Sequence, residues 1–169
     1  MTTLRENGDD LTEEQLSFIV RHAPIVSIDL IIRDADGNVL VGRRRNEPAK
    51  DCYFVPGGRI RKGETIAAAF TRILMAETGL SVGFGTARLL GAYQHFYATN
   101  RLGEPGYGTH YVVLGYEIRL AARPSIRLDD QHDTCKWLSV ADLKTAADVH
   151  ANVKAYFAAG ASQPDPRST

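Results

Sequence analysis

Apolar and polar residues follow one another in short blocks that predict strands on either side of one central helix. Thr12 and Gln15 have the spacing of a capping box at a helix start. The apolar stripe that begins at Leu16 continues at helical spacing, and it predicts a helix that ends near His22, before Pro24.

A β-branched, apolar run over residues 25–32 predicts a buried strand, although it contains Ser27 and Asp29. Asp36 and Gly37 then supply a hairpin turn, and residues 39–43 form the returning strand. Further strands are predicted over residues 53–55, 89–97, 109–120 and 136–138.

The central helix is predicted over residues 65–78, where Ile66, Phe70 and Ile73 are spaced for one buried face. Gly79 stands where a helix end favours a left-handed residue. Two shorter helices are predicted near the end of the chain, one after Ser139 and one over about residues 152–158.

This order of elements predicts an α/β/α sandwich with a mixed central sheet. The domain itself is placed at residues 24–160, after a helical N-terminal extension at 1–23 and before a disordered tail at 161–169.

Twenty basic and twenty acidic residues leave no net charge, so general binding to nucleic acid or to an anionic membrane is not expected. An anionic substrate must instead meet a local cluster of arginines. Cys52 and Cys135 have no metal-site spacing and are expected to be reduced thiols. No signal peptide or membrane-spanning run is seen, and a cytoplasmic protein is expected.

The most specific motif runs from the glycine pair to the end of the central helix. Its registered positions are Gly58, Glu64, Arg72, Leu74, Glu77, Gly79 and Leu80. The chain resembles the Nudix hydrolase superfamily at these positions, spread over 23 residues. The resemblance implies a Nudix-type α/β/α fold and chemistry on a diphosphate, which needs a hard divalent cation held by oxygen ligands.

Two positions of the motif depart from the family pattern, because Ile73 and Ala76 stand where the family normally has carboxylates. Fewer carboxylates should hold fewer metal ions, and one ion per site is expected. The change has two possible meanings: the site is inactive, or water attacks a different atom.

Segments outside the motif distinguish these meanings by a second resemblance. Residues 94–97, 109–115, 129–133, 149–152 and 155–157 resemble the GDP-mannose mannosyl hydrolase family, whose members cleave a glycosidic C–O bond. That family shares the departures at Ile73 and Ala76, so these do not imply inactivity.

The resemblance implies one Mg²⁺, with Mn²⁺ as the alternative ion, bound by the carbonyl of Gly57, the carboxylate of Glu77 and the amide oxygen of Gln131. It implies that His132 is the general base that activates water, a role that suits the unperturbed imidazole pKa. A homodimer is also implied.

The same resemblance places arginines on the diphosphate or leaving group, and other polar groups on the sugar or departing GDP. The implied substrate contacts are Asp29, Arg44, Arg59, His95, Tyr97 and Tyr111, of which Asp29, Arg44, Arg59 and Tyr111 are also assigned to catalysis. Within the motif, Gly58, Glu64, Arg72 and Gly79 are assigned structural roles.

Each assignment has an ordinary structural alternative. His132 among aspartates is typical of a solvated loop, and residues 43–45 are typical of a surface charge run. His95, Tyr97 and Tyr111 on strands are by default packing residues. Asp29 is the exception, since a carboxyl in an apolar strand needs a partner.

The predicted function is hydrolysis of GDP-mannose or GDP-glucose to GDP and free sugar, by water attack at C1 with inversion. One alternative is a Nudix pyrophosphatase that acts on a nucleotide sugar or nucleoside triphosphate. The other is a Nudix domain that binds a nucleotide as a sensor without turnover.

Overall fold

Seven strands form one mixed sheet in the computed structural model, which describes residues 11–126 and 132–158 and, at 132 and 133, the backbone only. The strands are β1 (Ile25–Arg33), β2 (Val39–Arg44), β3 (Tyr53–Phe54), β4 (Gly57–Arg59), β5 (Arg88–Tyr97), β6 (Thr109–Arg119) and β7 (His132–Leu138). The helices are α1 (Glu13–His22), α2 (Ile66–Thr78), α3 (Val140–Thr145) and α4 (Ala151–Ala155), with a 3₁₀ turn at Phe84–Thr86.

The strand order is β3-β2-β1-β6-β5, with β4 paired to β1 and β7 paired to β2. β1 and β6 run parallel along their full paired length, from Ile25 opposite Tyr111 to Arg33 opposite Arg119. The other pairings are antiparallel. β1 is therefore the central strand, and β4 meets it over residues 27–29.

Side chains of β1 alternate between two hydrophobic layers, as the period of a strand requires. On one face, Ile28, Leu30 and Ile32 pack with Phe70 and Leu74 of α2.

On the opposite face, Ile31 and Val41 pack with Leu143 of α3, Val153 of α4 and Tyr156 beyond it. Helices thus cover both faces of the sheet, which confirms the predicted α/β/α sandwich.

The predicted helix starts and ends are largely found. The capping box at Thr12 is present with both of its hydrogen bonds. Gly79 ends α2 in the left-handed region, with φ of 71°. The prediction for Ile66 is wrong, because burial along α2 begins only at Ala69, and Ile66 in the first turn is 41% exposed.

Two predicted element bounds near the end of the chain are also wrong. The strand expected at 136–138 starts at His132, because its backbone pairs with β2 as far as Arg44. The helix expected to reach residue 158 ends at Ala155, and Tyr156 and Phe157 lie in turns.

Cys52 and Cys135 are free thiols, as expected. No helix in the described parts of the chain has the length and apolar character needed to cross a membrane. The tail predicted at 161–169 and the first ten residues lie outside the described residues.

Candidate active site

One cavity of about 240 Å³ collects most of the residues predicted for the site. It opens along β1 and is bounded by β4, the later turns of α2, β5 and β6. The predicted residues that line it are Asp29, Arg44, Gly57, Gly58, Arg59, Arg72, Glu77, His95, Tyr97 and Tyr111. Gln131 and the side chain of His132 lie outside what the structure describes, although the backbone of His132 pairs with Arg44.

The parallel pairing of β1 and β6 explains how strand residues reach the cavity. Ile25, Ser27 and Asp29 alternate onto one face of β1. Tyr111 and Val113 are registered beside Ile25 and Ser27 on β6 and project from the same face. A row of side chains therefore runs along the sheet from Ile25 to Asp29.

Gly57 brings the backbone of β4 against Asp29 more closely than any other residue could. A Cβ at this position would lie 2.5 Å from Asp29 Oδ1 and 2.8 Å from the Ile28 carbonyl oxygen. Those distances are shorter than van der Waals contact, so only glycine fits. The backbone of Gly57 and the carboxyl group of Asp29 are thereby held together at one end of the cavity.

Arg72 and Glu64 tie α2 to the loop that precedes it. Arg72 donates from Nε to Glu64 Oε1 and from Nη2 to Glu64 Oε2, both at 2.7 Å. Arg72 Nη2 also donates to the Arg59 carbonyl oxygen at 3.0 Å, and Glu64 Oε2 accepts from the Arg61 amide at 2.9 Å. The hydrogen bonds from Arg72 hold the pKa of Glu64 below its usual value. This geometry suits the structural role predicted for the pair.

Glu77 is a buried carboxylate near the end of α2, and its side chain faces the cavity. Ile73 and Ala76 line the cavity beside it, at positions where the superfamily pattern has carboxylates. Among the described residues, no three His, Cys, Asp or Glu side chains come together as a metal-binding group.

The donor set around the cavity nevertheless fits a single hard cation. The backbone at Gly57 and the carboxylate of Glu77 border the same space, and both supply the oxygen ligands that Mg²⁺ prefers. Mg²⁺ commonly binds through one or two carboxylates together with substrate phosphates. The residues present therefore suit one ion that shares its ligands with a diphosphate.

Asp29 is only 6% exposed, and it accepts a 2.6 Å hydrogen bond from the Tyr156 hydroxyl at Oδ2. Burial raises the pKa of Asp29 to about 7, against the opposing effects of the Tyr156 hydrogen bond and the charge of Arg44. The carboxyl group is thus able to change protonation near neutral pH.

His95 lies beside this pair and is 2% exposed. Its Nε2 is 3.4 Å from the Tyr156 hydroxyl oxygen. Burial, and then the neighbouring charge of His150, lower the pKa of His95 to about 4. His95 is therefore neutral at pH 7 and can contact a ligand only as an uncharged imidazole.

Arg44 supplies positive charge to the same space. Its guanidinium carbon lies 5.9 Å from the centre of the Phe54 ring, and its charge affects Asp29, Tyr97, Tyr111 and His150. Its Nε is buried and has no hydrogen-bond partner among the described residues. A buried donor without an acceptor is costly, and an anionic ligand in the cavity would satisfy it.

Tyr97 and Tyr111 form part of the cavity wall, with their rings edge to face and their centres 6.0 Å apart. Burial raises the pKa of both phenols, so each hydroxyl stays protonated and can donate a hydrogen bond.

Sequence reasoning missed several residues of the site. Tyr156 was seen only within a resembling segment, because nothing local distinguishes a tyrosine that bonds to Asp29 from one that packs in a core. Leu16 and Val20 of α1 also line the cavity, as do Arg101 and Leu102 from the loop between β5 and β6. No signal in the sequence relates α1 to the motif, whereas the glycine-rich loop at residues 100–108 is one that the sequence indicates as a possible border of the sugar or base site.

Comparison with known proteins agrees with this architecture. The model of the NUDIX domain family matches residues 23–158. The chain is 36% identical over 126 residues to the low-salt glycan biosynthesis protein Agl8 of Haloferax volcanii, covering 75% of this chain and 78% of that protein. It is 42% identical over 57 residues to the ADP-ribose pyrophosphatase of Methanocaldococcus jannaschii, which covers 34% of this chain and only 33% of that protein.

Solved structures show the same fold at low sequence identity. The MutT NUDIX hydrolase from Burkholderia pseudomallei superposes with a TM-score of 0.65 at 23% identity, covering 80% of this chain and 96% of that one. The NUDIX domain of Shewanella oneidensis NrtR, solved with ADP ribose, superposes with a TM-score of 0.56 at 18% identity, covering 79% and 86%.

Proposed function

This chain belongs to the NUDIX domain family, and from that premise we propose that it hydrolyses GDP-mannose or GDP-glucose to GDP and free sugar. Water attacks C1 of the sugar with inversion, and the C1–O bond breaks, whereas most of the superfamily's chemistry takes place at phosphorus. One Mg²⁺ (or Mn²⁺) serves the reaction.

The observation that carries the proposal is the composition of the α2 face beside Glu77. Ile73 and Ala76 border the cavity where carboxylates would otherwise assemble further cations. A site with one cation is poorly equipped to activate water for attack on phosphorus, but it can still bind a diphosphate leaving group. Attack at carbon needs no second metal.

One relative supports a sugar-nucleotide substrate. The name of the 36% identical relative refers to glycan biosynthesis, a process that draws on activated sugars. The cavity also provides polar groups for a sugar at the Asp29 end, together with arginines for a diphosphate.

The proposed roles follow from charge and placement. Arg44 and Arg59 neutralise the negative charge that grows on GDP as the glycosidic bond breaks. A Mg²⁺ held by Gly57, Glu77 and Gln131 would supply further charge neutralisation at the diphosphate.

Asp29, His95, Tyr97 and Tyr111 contact the sugar or the departing GDP. Asp29 faces the positively charged C1 centre of an oxocarbenium-like transition state in its ionised form. His95 and the two tyrosines provide uncharged hydrogen-bonding groups, in keeping with their pKa shifts.

His132 is proposed as the general base. It accepts a proton from the attacking water, the remaining hydroxyl bonds to C1, and the electron pair of the C1–O bond leaves on GDP. General base catalysis contributes roughly 10²–10⁴-fold, so His132→Gln should lower kcat by about that factor.

Hydrolysis in ¹⁸O-labelled water tests the proposal. Mass spectrometry should find the label in the sugar and none in GDP. Label in a phosphate product, or release of GMP with a sugar phosphate, would refute attack at carbon.

The second candidate is a pyrophosphatase. It is favoured by the 42% local identity to an ADP-ribose pyrophosphatase, together with the retained Gly58, Glu64, Arg72 and Glu77. It predicts a nucleoside monophosphate as product. A sensor without turnover predicts nucleotide binding and no product at any enzyme concentration, so one product analysis separates all three.

A further inference from the structure

The N-terminal helix forms part of the cavity wall. Leu16 and Val20 lie one helical turn apart, are half-buried and line the cavity. Phe18, between them in sequence, points away and is 66% exposed. The helix thus presents an aliphatic strip to the ligand space and a different face to solvent.

Glu104 fastens this helix to the loop between β5 and β6. Its Oε2 accepts from Arg21 Nη2 at 2.8 Å and from Ser17 Oγ at 3.0 Å, and it accepts a short hydrogen bond from the Tyr107 hydroxyl. The guanidinium of Arg21 also lies 4.4 Å from the centre of the Tyr107 ring. These donors, Tyr107 foremost, lower the pKa of Glu104 to about 2, so the cluster stays charged at physiological pH.

Asn100 organises the same loop from within. It is 1% exposed, and its Nδ2 donates to the carbonyl oxygens of Glu104 at 2.8 Å and Tyr107 at 2.9 Å. Its Oδ1 accepts from the amides of Leu102 at 3.1 Å and Glu104 at 3.2 Å. The loop is therefore a fixed structure that places Arg101 and Leu102 at the cavity.

The two ends of the cavity differ in chemistry. From Asp29 to Ile25, β1 extends roughly 13 Å at about 3.3 Å per residue. Asp29 marks a polar end, and Arg59, registered opposite Ser27, marks the middle. Ile25, at the other end of this row, lines the same cavity as the strip formed by Leu16 and Val20.

We propose that α1 and the loop at 100–108 together form the wall that binds the nucleobase of the substrate. The proposal rests on the proposed function, because it assigns one part of a nucleotide sugar to one part of the same cavity. With the diphosphate at Arg59 and the sugar at Asp29, the base reaches the aliphatic end.

The chemistry of the wall matches a flat heterocycle better than a hexose. A hexose carries hydroxyl groups that need polar partners, which Leu16, Val20 and Leu102 do not offer. A purine ring can pack its face on aliphatic side chains and offer its edge to a donor. Arg101 is that donor, and a guanidinium pairs with the O6 and N7 acceptors of guanine, whereas adenine has an amino group at position 6.

Binding of GDP and of inorganic pyrophosphate, which has no base, separates this wall from the diphosphate site. Isothermal titration calorimetry in buffer that contains Mg²⁺ measures the affinities for GDP and for pyrophosphate. The full-length protein is compared with the double variant Leu16→Ser/Val20→Ser. We expect GDP affinity to fall about tenfold and pyrophosphate affinity to change less than twofold. Phe18→Ser, on the solvent face of the same helix, is the matched control and should leave both affinities unchanged.

Arg101→Ala tests the wall without altering α1. It should reduce the preference for GDP over ADP about fivefold, again with unchanged pyrophosphate binding. Equal losses of affinity for GDP and for pyrophosphate would contradict the proposed nucleobase wall. Unchanged GDP affinity in both variants would contradict it as well. Should the binding results hold while GDP-sugars yield no free sugar, the proposed function would fail and the nucleobase wall would stand.

Discussion

Glu64→Ala removes the carboxylate that links α2 to the loop before it. The substitution breaks both hydrogen bonds from Arg72, each of 2.7 Å, and the 2.9 Å bond from the Arg61 amide. Arg72 then keeps only its 3.0 Å contact with the Arg59 carbonyl from this network. We therefore expect the variant to be less stable and its cavity less well ordered.

The size of the loss follows from the burial and geometry of the pair. Side chains of Glu64 and Arg72 are 13% and 29% exposed, so water screens them only in part. Truncating one partner of a buried ion pair costs about 3–5 kcal/mol, whereas an exposed pair contributes about 0–1 kcal/mol. For this partly buried, bidentate pair we expect a loss of about 2–4 kcal/mol.

Urea denaturation at pH 7 measures the loss, and Asp148→Ala is the matched control. Asp148 also pairs with a cation, Lys136, at 3.0 Å, but the two side chains are 52% and 33% exposed. The control should cost about 1 kcal/mol at most. Equal losses in the two variants would refute the argument from burial.

The same variant has a pH dependence of known sign. The pKa of Glu64 is held below the ordinary glutamate value of 4.5, chiefly by the hydrogen bonds from Arg72. A carboxylate whose pKa is lowered on folding contributes its full stabilisation above its unfolded pKa. That stabilisation is lost as pH falls through the lower pKa of the folded state. The difference in free energy of unfolding between wild type and Glu64→Ala should therefore become smaller once pH falls below 4.5. A difference that stays constant down to pH 3 would contradict this.

Three further predictions concern the cavity. Gly57→Ala should lower the free energy of unfolding by about 1–3 kcal/mol, because the added methyl group would be too close to the Asp29 carboxyl group. Gly83→Ala is the control and should be nearly neutral in thermal unfolding, because its methyl group would meet no atom within 4 Å. Tyr156→Phe removes a hydrogen bond that lowers the pKa of Asp29. The limb of the kcat/KM pH profile that requires ionised Asp29 should therefore move upward from about pH 7. Tyr93→Phe, in the same cluster, is the control and should not move that limb. Chelation with EDTA should abolish product formation, and added Mg²⁺ should restore it; activity that persists would exclude a metal-dependent reaction.

The sheet and the central helix could be predicted because their signals are local. An apolar run with β-branched residues identified β1, and Gly79 marked the end of α2. The stripe on α2 placed Phe70 and Ile73 correctly in the core. The prediction for Ile66 failed because the spacing of apolar residues indicates which face of a helix is buried. It does not indicate how far along the helix the sheet covers that face.

The cavity was only partly predictable, because its remaining parts come from contacts between distant positions. Physical reasoning from Asp29 in an apolar strand required a buried partner, and Tyr156 is one such partner. The chain has seven tyrosines, and no local pattern indicates which of them is 127 residues from its acceptor in sequence and 2.6 Å away in space. The pairing of Glu104 with α1 is hidden in the same way.

Local charge, and not total charge, decides what this cavity can bind. The chain has no net charge, yet Arg44, Arg59, Arg72 and Arg101 all border one cavity. Arg72 is engaged by Glu64, which leaves its charge largely balanced within the fold. Arg44 brings a buried Nε that lacks a protein acceptor among the described residues, so an anion that enters the cavity and accepts from it would offset its desolvation.

Of the three carboxyl groups that line the cavity, those of Asp29 and Glu77 do not simply cancel this attraction. Burial raises the pKa of Asp29 to about 7, so part of the population is uncharged at neutral pH. Glu77 is the carboxylate that suits a cation, and a bound Mg²⁺ would reverse the sign of the field at that point. A protein without net charge can therefore offer one local site that suits a diphosphate.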